Sequence, residues 1–244
     1  MTVTIRRVFR PKRKAGERAN LTLEKISAAS FDVLEETGLD DFSARLVAKK
    51  LGVSPAAIYA HFEGGLKGLK QGLVFVTLRS VARPYGPNDT PAGYMRDLFL
   101  RMLKAVHGKQ ALAQLIALEL SKDHLICPVF LERLLSVALG AGKPPANPAR
   151  FLDLALAALL GMIMVEGETA SDDKATKAVR RYSSRVKAFP ASEFPTLLAT
   201  KDEMVLQIKR RLIIVPVHIA KTADWYAAPI IAALGLTGGA FEAN

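Results

Sequence analysis

The sequence predicts an all-α protein in which a small N-terminal helical unit precedes a larger helical bundle. Three observations predict it. The chain is 50% hydrophobic but only 7% aromatic, a mixture of Ala, Leu, Ile and Val that suits packed helices better than strands. Apolar residues recur at three- and four-residue steps, and no strand-like alternation stands out. Turn-rich runs, "ARPYGPNDTPAG", "GAGKPPANP", "FPASEFP" and "GLTGGAFEAN", cut the second part into segments of helical length. At 244 residues the chain is long for one domain and sufficient for a small domain joined to a larger one, each able to bury a core.

Residues 1–19 read as a disordered basic arm. The first twenty residues hold seven basic side chains against the single acid Glu17, which puts more than half of the net charge of +11 there. Lysine and arginine neutralise phosphates and release counterions, so such a tail suits a nucleic-acid backbone; a solubilising terminus is the alternative. From Asn20 to Thr37, Leu23, Ile26, Ala29, Ser30, Val33 and Leu34 recur at helical spacing, with Asn20 or Thr22 as N-cap and Gly38 as the stop. Leu39 and Phe42 add apolar side chains to the same small core, and Ser43 caps a second helix over Ala44 to Leu51. Gly52 can adopt the positive φ that ends it. Ser54 caps a third helix, predicted from Pro55 to His61 or Phe62, and proline suits its first position because no N–H is needed there.

The spacing of these residues carries function. Ala48, Gly52, Val53 and Ile58 put a small residue where two helices cross, a glycine in the turn, an apolar residue beside it and another inside the following helix. That is helix-turn-helix spacing, although an ordinary αα-corner shows the same pattern. The third helix favours DNA. Pro55, Ala56, Ala57 and Ala60 are small enough for the backbone to descend into a major groove, and Tyr59 and His61 offer polar tips that reach phosphates. Two other readings stay open: a cytosolic helical enzyme with an incidental helix pair, and an architectural DNA-binding protein with salt-dominated, non-specific affinity.

The stretch "ISAASFDVLEETGLDDFSARLVAKKLGVSPAAIYAHF", Ile26 to Phe62, resembles the N-terminal domain of the tetracycline-repressor (TetR) family of transcriptional regulators: a helix, a glycine, an apolar pair, the turn and a closing Tyr-x-His-Phe. The resemblance covers residues 20–75. It implies a homodimeric repressor that binds a palindromic double-stranded DNA operator through an N-terminal three-helix helix-turn-helix DNA-binding domain, residues 20–80. It further implies release when a small-molecule effector enters a C-terminal helical-bundle ligand-binding and dimerisation domain, residues 81–244. By the same resemblance Ser43 and Arg45 approach DNA from the start of helix two, with Arg45 as the base contact. Ala56 and Ala57 face bases or a thymine methyl, Tyr59 and His61 hold phosphates, and Ser54 and Pro55 complete the DNA-binding set at the head of helix three.

The chain departs from the family at Gly65, where a lysine usually opens a fourth helix and binds phosphate; Lys67 is the candidate substitute. Gly64, Gly65, Gly68 and Gly72 each weaken a helix by roughly 0.5–1 kcal/mol relative to alanine. They leave open how rigidly helix four, the family's mechanical link between domains, couples the two. The run "FEGGLKGLKQGL" does not read as a phosphate-binding loop, since it follows no strand and lacks the Gly-Lys-Ser/Thr ending.

Further helices are predicted near 94–107, 110–121, 128–140, 150–168, 174–188 and 202–222. A bundle of these can hold a pocket between helices. Met102, His107, Leu115, Cys127, Phe130, Met162 and Glu166 are the candidate ligand-binding residues, each equally readable as a core or rim position. The segment near 150–168 is apolar nearly all round, so it must be buried on more than one side, in its own domain or against a partner. The segment near 202–222 is interrupted by Pro216. In the family the corresponding helices form a four-helix homodimer interface, and a central core helix in a monomer is the alternative.

Catalysis and metals find little support. His61, His107, His124 and His218 form no His-x-x-x-His pair, and only "DHLIC", residues 123–127, gathers several ligand types. Structural zinc wants about four ligands, and a cysteine nucleophile needs a base at a recognisable spacing; neither is present, so no metal, cofactor or catalytic residue is expected. No stretch has the roughly 18–20 apolar residues of a membrane span, and the basic N-terminus lacks a signal peptide's apolar core. The expected location is cytoplasmic, which the single cysteine also fits.

Overall fold

The computed structural model describes residues 21–140, 148–166, 172–193, 195–205, 223–224, 226–228 and 230–232. The basic arm and positions 206–222 of the last expected helix lie outside the described residues. Among the described residues regular structure is helical, without a strand. Thr22 opens α1 (Leu23–Asp41), its hydroxyl accepting from the Lys25 N–H at 3.3 Å. Gly38 breaks the helical run at φ 77°, and the chain continues through Phe42, which is buried. Then come α2 (Ala44–Leu51) and α3 (Pro55–Tyr59).

The glycine-rich segment forms a continuous helix, α4 (Leu66–Val81). Gly65 opens it at φ 65°, ψ −130°, a conformation that side chains with a β-carbon resist. Gly68 is buried, and a β-carbon there would stand 1.9 Å from the Glu63 carbonyl oxygen. The glycine thus permits a close backbone approach at the start of the helix. Leu69, Leu73, Val74 and Leu78 are fully buried on the same helix. Each is worth about 1.5–3 kcal/mol, which exceeds the propensity cost of the glycines. The propensity cost of the glycines is offset by this packing.

The bundle follows with α5 (Pro91–Val106), α6 (Gln110–Lys122), a 3₁₀ turn at His124–Ile126, α7 (Pro128–Gly140), α8 (Pro148–Glu166), α9 (Asp172–Lys187) and α10 (Pro195–Ala199). Residues 201–205 are also helical. The helix α1 packs on α6, α4 packs on α5 and α6, and α8 lies across α5, α6 and α7. One continuous apolar core therefore runs from Ile26, Leu34 and Ile58 through Leu73 to Phe99, Leu115 and Met162.

The turn-rich loop between α4 and α5 is pinned by one arginine. The Arg83 guanidinium donates to Asp97 at 2.8 Å and to both carboxylate oxygens of Asp89, while Tyr94 donates to the Arg83 carbonyl at 2.6 Å. Beside Arg83 and the Gly86 amide, the Asp89 carboxyl is held down at about 2.

The helix α8, expected to be buried in its own domain or against a partner, turns one side to the core of its own domain. Ala155, Leu156, Leu159, Met162 and Ile163 face the core. Leu154, Ala157, Gly161 and Met164 form an exposed stripe on the other side, with Leu154 45% and Met164 54% accessible.

Candidate nucleic-acid interface

The interface is built on the α2–turn–α3 frame. At the end of α2 Gly52 sits in the left-handed region (φ 66°, ψ 30°). Its N–H bonds to the Lys49 carbonyl at 3.3 Å and the next N–H, of Val53, to the Ala48 carbonyl at 3.0 Å. This is the Schellman pattern that only an unhindered αL residue allows. The Ser54 hydroxyl accepts from the Ala57 N–H at 3.3 Å and Pro55 follows it at the helix start.

Ala44, Val47 and Ala48 of α2, together with Ile58 and Phe62, are all buried, so two short helices are held at a fixed angle by an apolar inner face. The third helix ends at Tyr59, earlier than the expected His61 or Phe62. The His61 and Phe62 amides bond to the Ile58 and Tyr59 carbonyls at 3.0 and 3.3 Å, a tightened final turn that directs Phe62 into the core.

With the inner face fixed, the outer face follows. Arg45, Ser54, Ala56 and Lys67 are exposed, Tyr59 is 41% accessible, and Ser43, Pro55, Ala57 and His61 are half-buried. Ser43 makes no side-chain capping bond to α2. His61 is already engaged with a neighbouring group. The Tyr59 ring stands beside Gly65, where a β-carbon would touch it at 3.8 Å.

Sequence reasoning missed Lys49. It is exposed one turn after Arg45 on α2, and residues four apart share a helix face. Neither Arg45 nor Lys49 forms an ion pair among the described residues. The adjacent Lys50 is different: its ammonium lies 2.7 Å from Glu36 and 3.2 Å from Asp32 on α1. The hydrogen bond that the ammonium donates to Glu36 raises its pKa. In the sequence "KK" the two look alike, and only α1 separates them.

Of the candidate ligand residues, Met102, Leu115, Cys127, Phe130 and Met162 are all buried in the core where α5 to α8 meet. Burial pushes the Cys127 thiol up, which makes it an apolar packing group rather than a nucleophile. His107 sits half-buried at the C-cap of α5, and the Glu166 side chain lies outside the described set. In "DHLIC" the Asp123 carboxylate accepts from the Leu125 N–H at 2.9 Å. Among the described residues no three His, Cys, Asp or Glu side chains gather as metal ligands, and no helix is long and apolar enough to cross a membrane.

The family of bacterial regulatory proteins described as the tetR family matches residues 26–64. The chain is 32% identical to the HTH-type transcriptional regulator TtgW of Pseudomonas putida over 103 residues, 41% of this chain and 73% of that protein. It is similar to the solved structure of SCO7222, a TetR from Streptomyces coelicolor, with a TM-score of 0.67 at 19% identity, covering 88% of this chain and 99% of the other. The Streptomyces coelicolor TetR family protein ActR in complex with actinorhodin gives a TM-score of 0.67 at 22% identity, over 93% of this chain and 100% of that one.

Proposed function

The chain belongs to the tetR family of bacterial transcriptional regulators, and from that membership we propose that it is a cytoplasmic repressor that binds a palindromic operator as a homodimer and leaves it when a small molecule binds. The observation that carries the DNA reading is the outer face of the α2–α3 frame. Arg45 and Lys49 stand one turn apart and unpaired among the described residues, beside the small exposed surface of α3. Arginine pairs bidentately with guanine edges and lysine neutralises phosphate. Arg45 therefore reads a base, Ala56 and Ala57 lie against the groove floor, and Ser43, Ser54, Pro55, Tyr59, His61, Lys49 and Lys67 complete the backbone contacts. The arm at 1–19 adds phosphate neutralisation to the domain at 20–80.

The exposed stripe on α8 supports the dimer. A row of Leu154, Ala157, Gly161 and Met164 is apolar, and its two central residues are small enough for a close helix crossing against a second copy. By the family resemblance the segment near 202–222, whose positions 206–222 lie outside the described residues, is the proposed other half of that interface. A twofold pairing sets two recognition helices about 34 Å apart or a multiple of it, matching a palindrome.

The 81–244 domain takes the effector between α5 and α8. Met102, Leu115, Cys127, Phe130 and Met162 supply its apolar wall, with His107 and Glu166 as polar groups. That ActR holds actinorhodin supports a ligand in a fold of this kind. Coupling of about 1–3 kcal/mol between effector and operator gives a fivefold to hundredfold change in affinity.

Selection of bound duplexes from a random pool, followed by a salt titration of the winner, tests the reading. Enrichment of a palindrome bound by a dimer is expected. Weak binding without enrichment, abolished by salt, would replace it with a non-specific tether.

A further inference from the structure

A trough runs between α1 and α4 and shares no lining residue with the α2–α3 face or the effector wall. Its larger part, about 590 Å³, has an apolar floor of Leu23, Ala28, Phe31, Phe75 and Val76, with Arg79 at its edge. That volume lies within the range of small-molecule clefts. A second part of about 310 Å³ shares Phe31 and Val76 with the first and continues toward Ala105, Leu112 and Lys109.

The charges along this trough are unequal in availability. Each of its three acids is engaged. Glu24 lies in the first turn of α1, where its own backbone amide and the Thr22 hydroxyl hold its carboxyl low. Asp32 pairs with Lys50 at 3.2 Å, and Glu35 accepts from the Leu112 N–H at 2.8 Å. The two cations, Arg79 and Lys109, form no ion pair among the described residues, and both are exposed. An apolar channel with satisfied acids and unsatisfied cations selects an anionic head with an apolar tail, because an arginine fork matches a carboxylate.

The geometry points to a second ligand site in this trough, taking a monoanionic amphiphile whose head pairs with Arg79 and whose tail lies along Phe31, Phe75 and Val76. It is separate from the effector site in the α5–α8 core and does not depend on the operator reading. Because α1 and α4 are the helices through which the bundle holds the helix-turn-helix unit, an occupant here bridges them.

The test is calorimetric titration of the full-length protein, without DNA, using decanoate, decanol and decyltrimethylammonium below their micelle concentrations. Decanoate should bind once per chain and outcompete the cation. Arg79→Gln should weaken it by about tenfold or more, the scale of a lost charged hydrogen-bonded pair, and Ala28→Trp, which fills the channel, should abolish it. A tail-diazirine derivative of decanoate photolysed on the unmodified protein gives a readout independent of any substitution, with labelling expected within residues 21–31 or 73–80. Absence of binding, equal affinity for the cation, indifference to Arg79→Gln, or labels confined to the effector wall at Met102, Leu115, Cys127, Phe130 and Met162 would each overturn the site.

Discussion

The carboxylate of Glu35 on α1 accepts a hydrogen bond at 2.8 Å from the backbone N–H of Leu112, which lies 77 residues further along the chain in the first turn of α6. Lys109, at the N-cap of α6, supplies no side-chain cap of its own. The first helix of the DNA-binding domain thus caps a helix of the bundle. Glu35→Ala should cost about 1 kcal/mol, the worth of a helix cap, while Glu35→Gln keeps an acceptor oxygen and should recover most of it. Urea unfolding of the two variants checks this. Equal midpoints for wild type and Glu35→Ala would mean that water serves Leu112 as well.

Helix propensity and packing make opposite predictions at Gly68. Alanine is favoured over glycine in a helix by about 1 kcal/mol, but a β-carbon at this position would stand 1.9 Å from the Glu63 carbonyl oxygen. Overpacking of this kind costs about 1–3 kcal/mol, and the blocking atom is backbone. Gly68→Ala should therefore lower the melting temperature, and a rise would show that the α3–α4 connection yields easily.

Arg45 and Lys49 share a face but are expected to act differently. Arg45→Ala should lose about 1–3 kcal/mol on the preferred sequence and relax the preference at one base position, whereas Lys49→Ala should weaken all sequences alike and reduce the salt slope by about one. Deletion of residues 1–18, which hold seven basic side chains, should flatten the slope further. A uniform loss for Arg45→Ala would remove it from base reading, and an unchanged slope after the deletion would remove the arm.

Leu154→Glu combined with Met164→Glu places charges on the exposed stripe of α8 without touching the core face. In a twofold interface residue i of one copy meets residue j of the other and the reverse, so the four glutamates would be brought together on one apolar surface. Sedimentation should show a monomer with an unchanged helical spectrum, and palindrome binding should fall to that of single half-sites. A dimer that survives both substitutions would locate the interface elsewhere.

Acid should release the loop before α5. The Asp89 carboxyl stands at about 2 in the folded chain, below its ordinary 3.8, chiefly through Arg83 and then the Gly86 amide. A carboxyl lowered on folding stabilises the native state above its unfolded value, and that contribution is lost as pH falls from about 4 to about 2. Wild type should lose stability over this window more steeply than Asp89→Asn. Parallel acid profiles would show that Asp89 keeps its ion pair in the unfolded chain.

Residue chemistry alone determined the local frame. Thr22 and Ser54 cap helices because a hydroxyl oxygen can take an amide that the helix leaves over, and Gly52 turns the chain because it lacks a β-carbon. The all-α class, the caps at Thr22 and Ser54, the turn and the outward Arg45 were legible because each rests on neighbours a few residues apart, whereas Ser43 makes no capping bond. Tertiary structure decided the rest. The glycines of α4 were expected to weaken it, since propensity counts an isolated helix and not the approach of Glu63. Lys49 and Lys50 became distinguishable through Asp32 and Glu36 of α1. The face that α8 leaves bare and the cap that Glu35 lends to α6 depend on the angle and register at which distant helices meet. Hydrophobic periodicity gives a helix an apolar side, but it does not encode which partner covers that side or where the partner's polar groups fall.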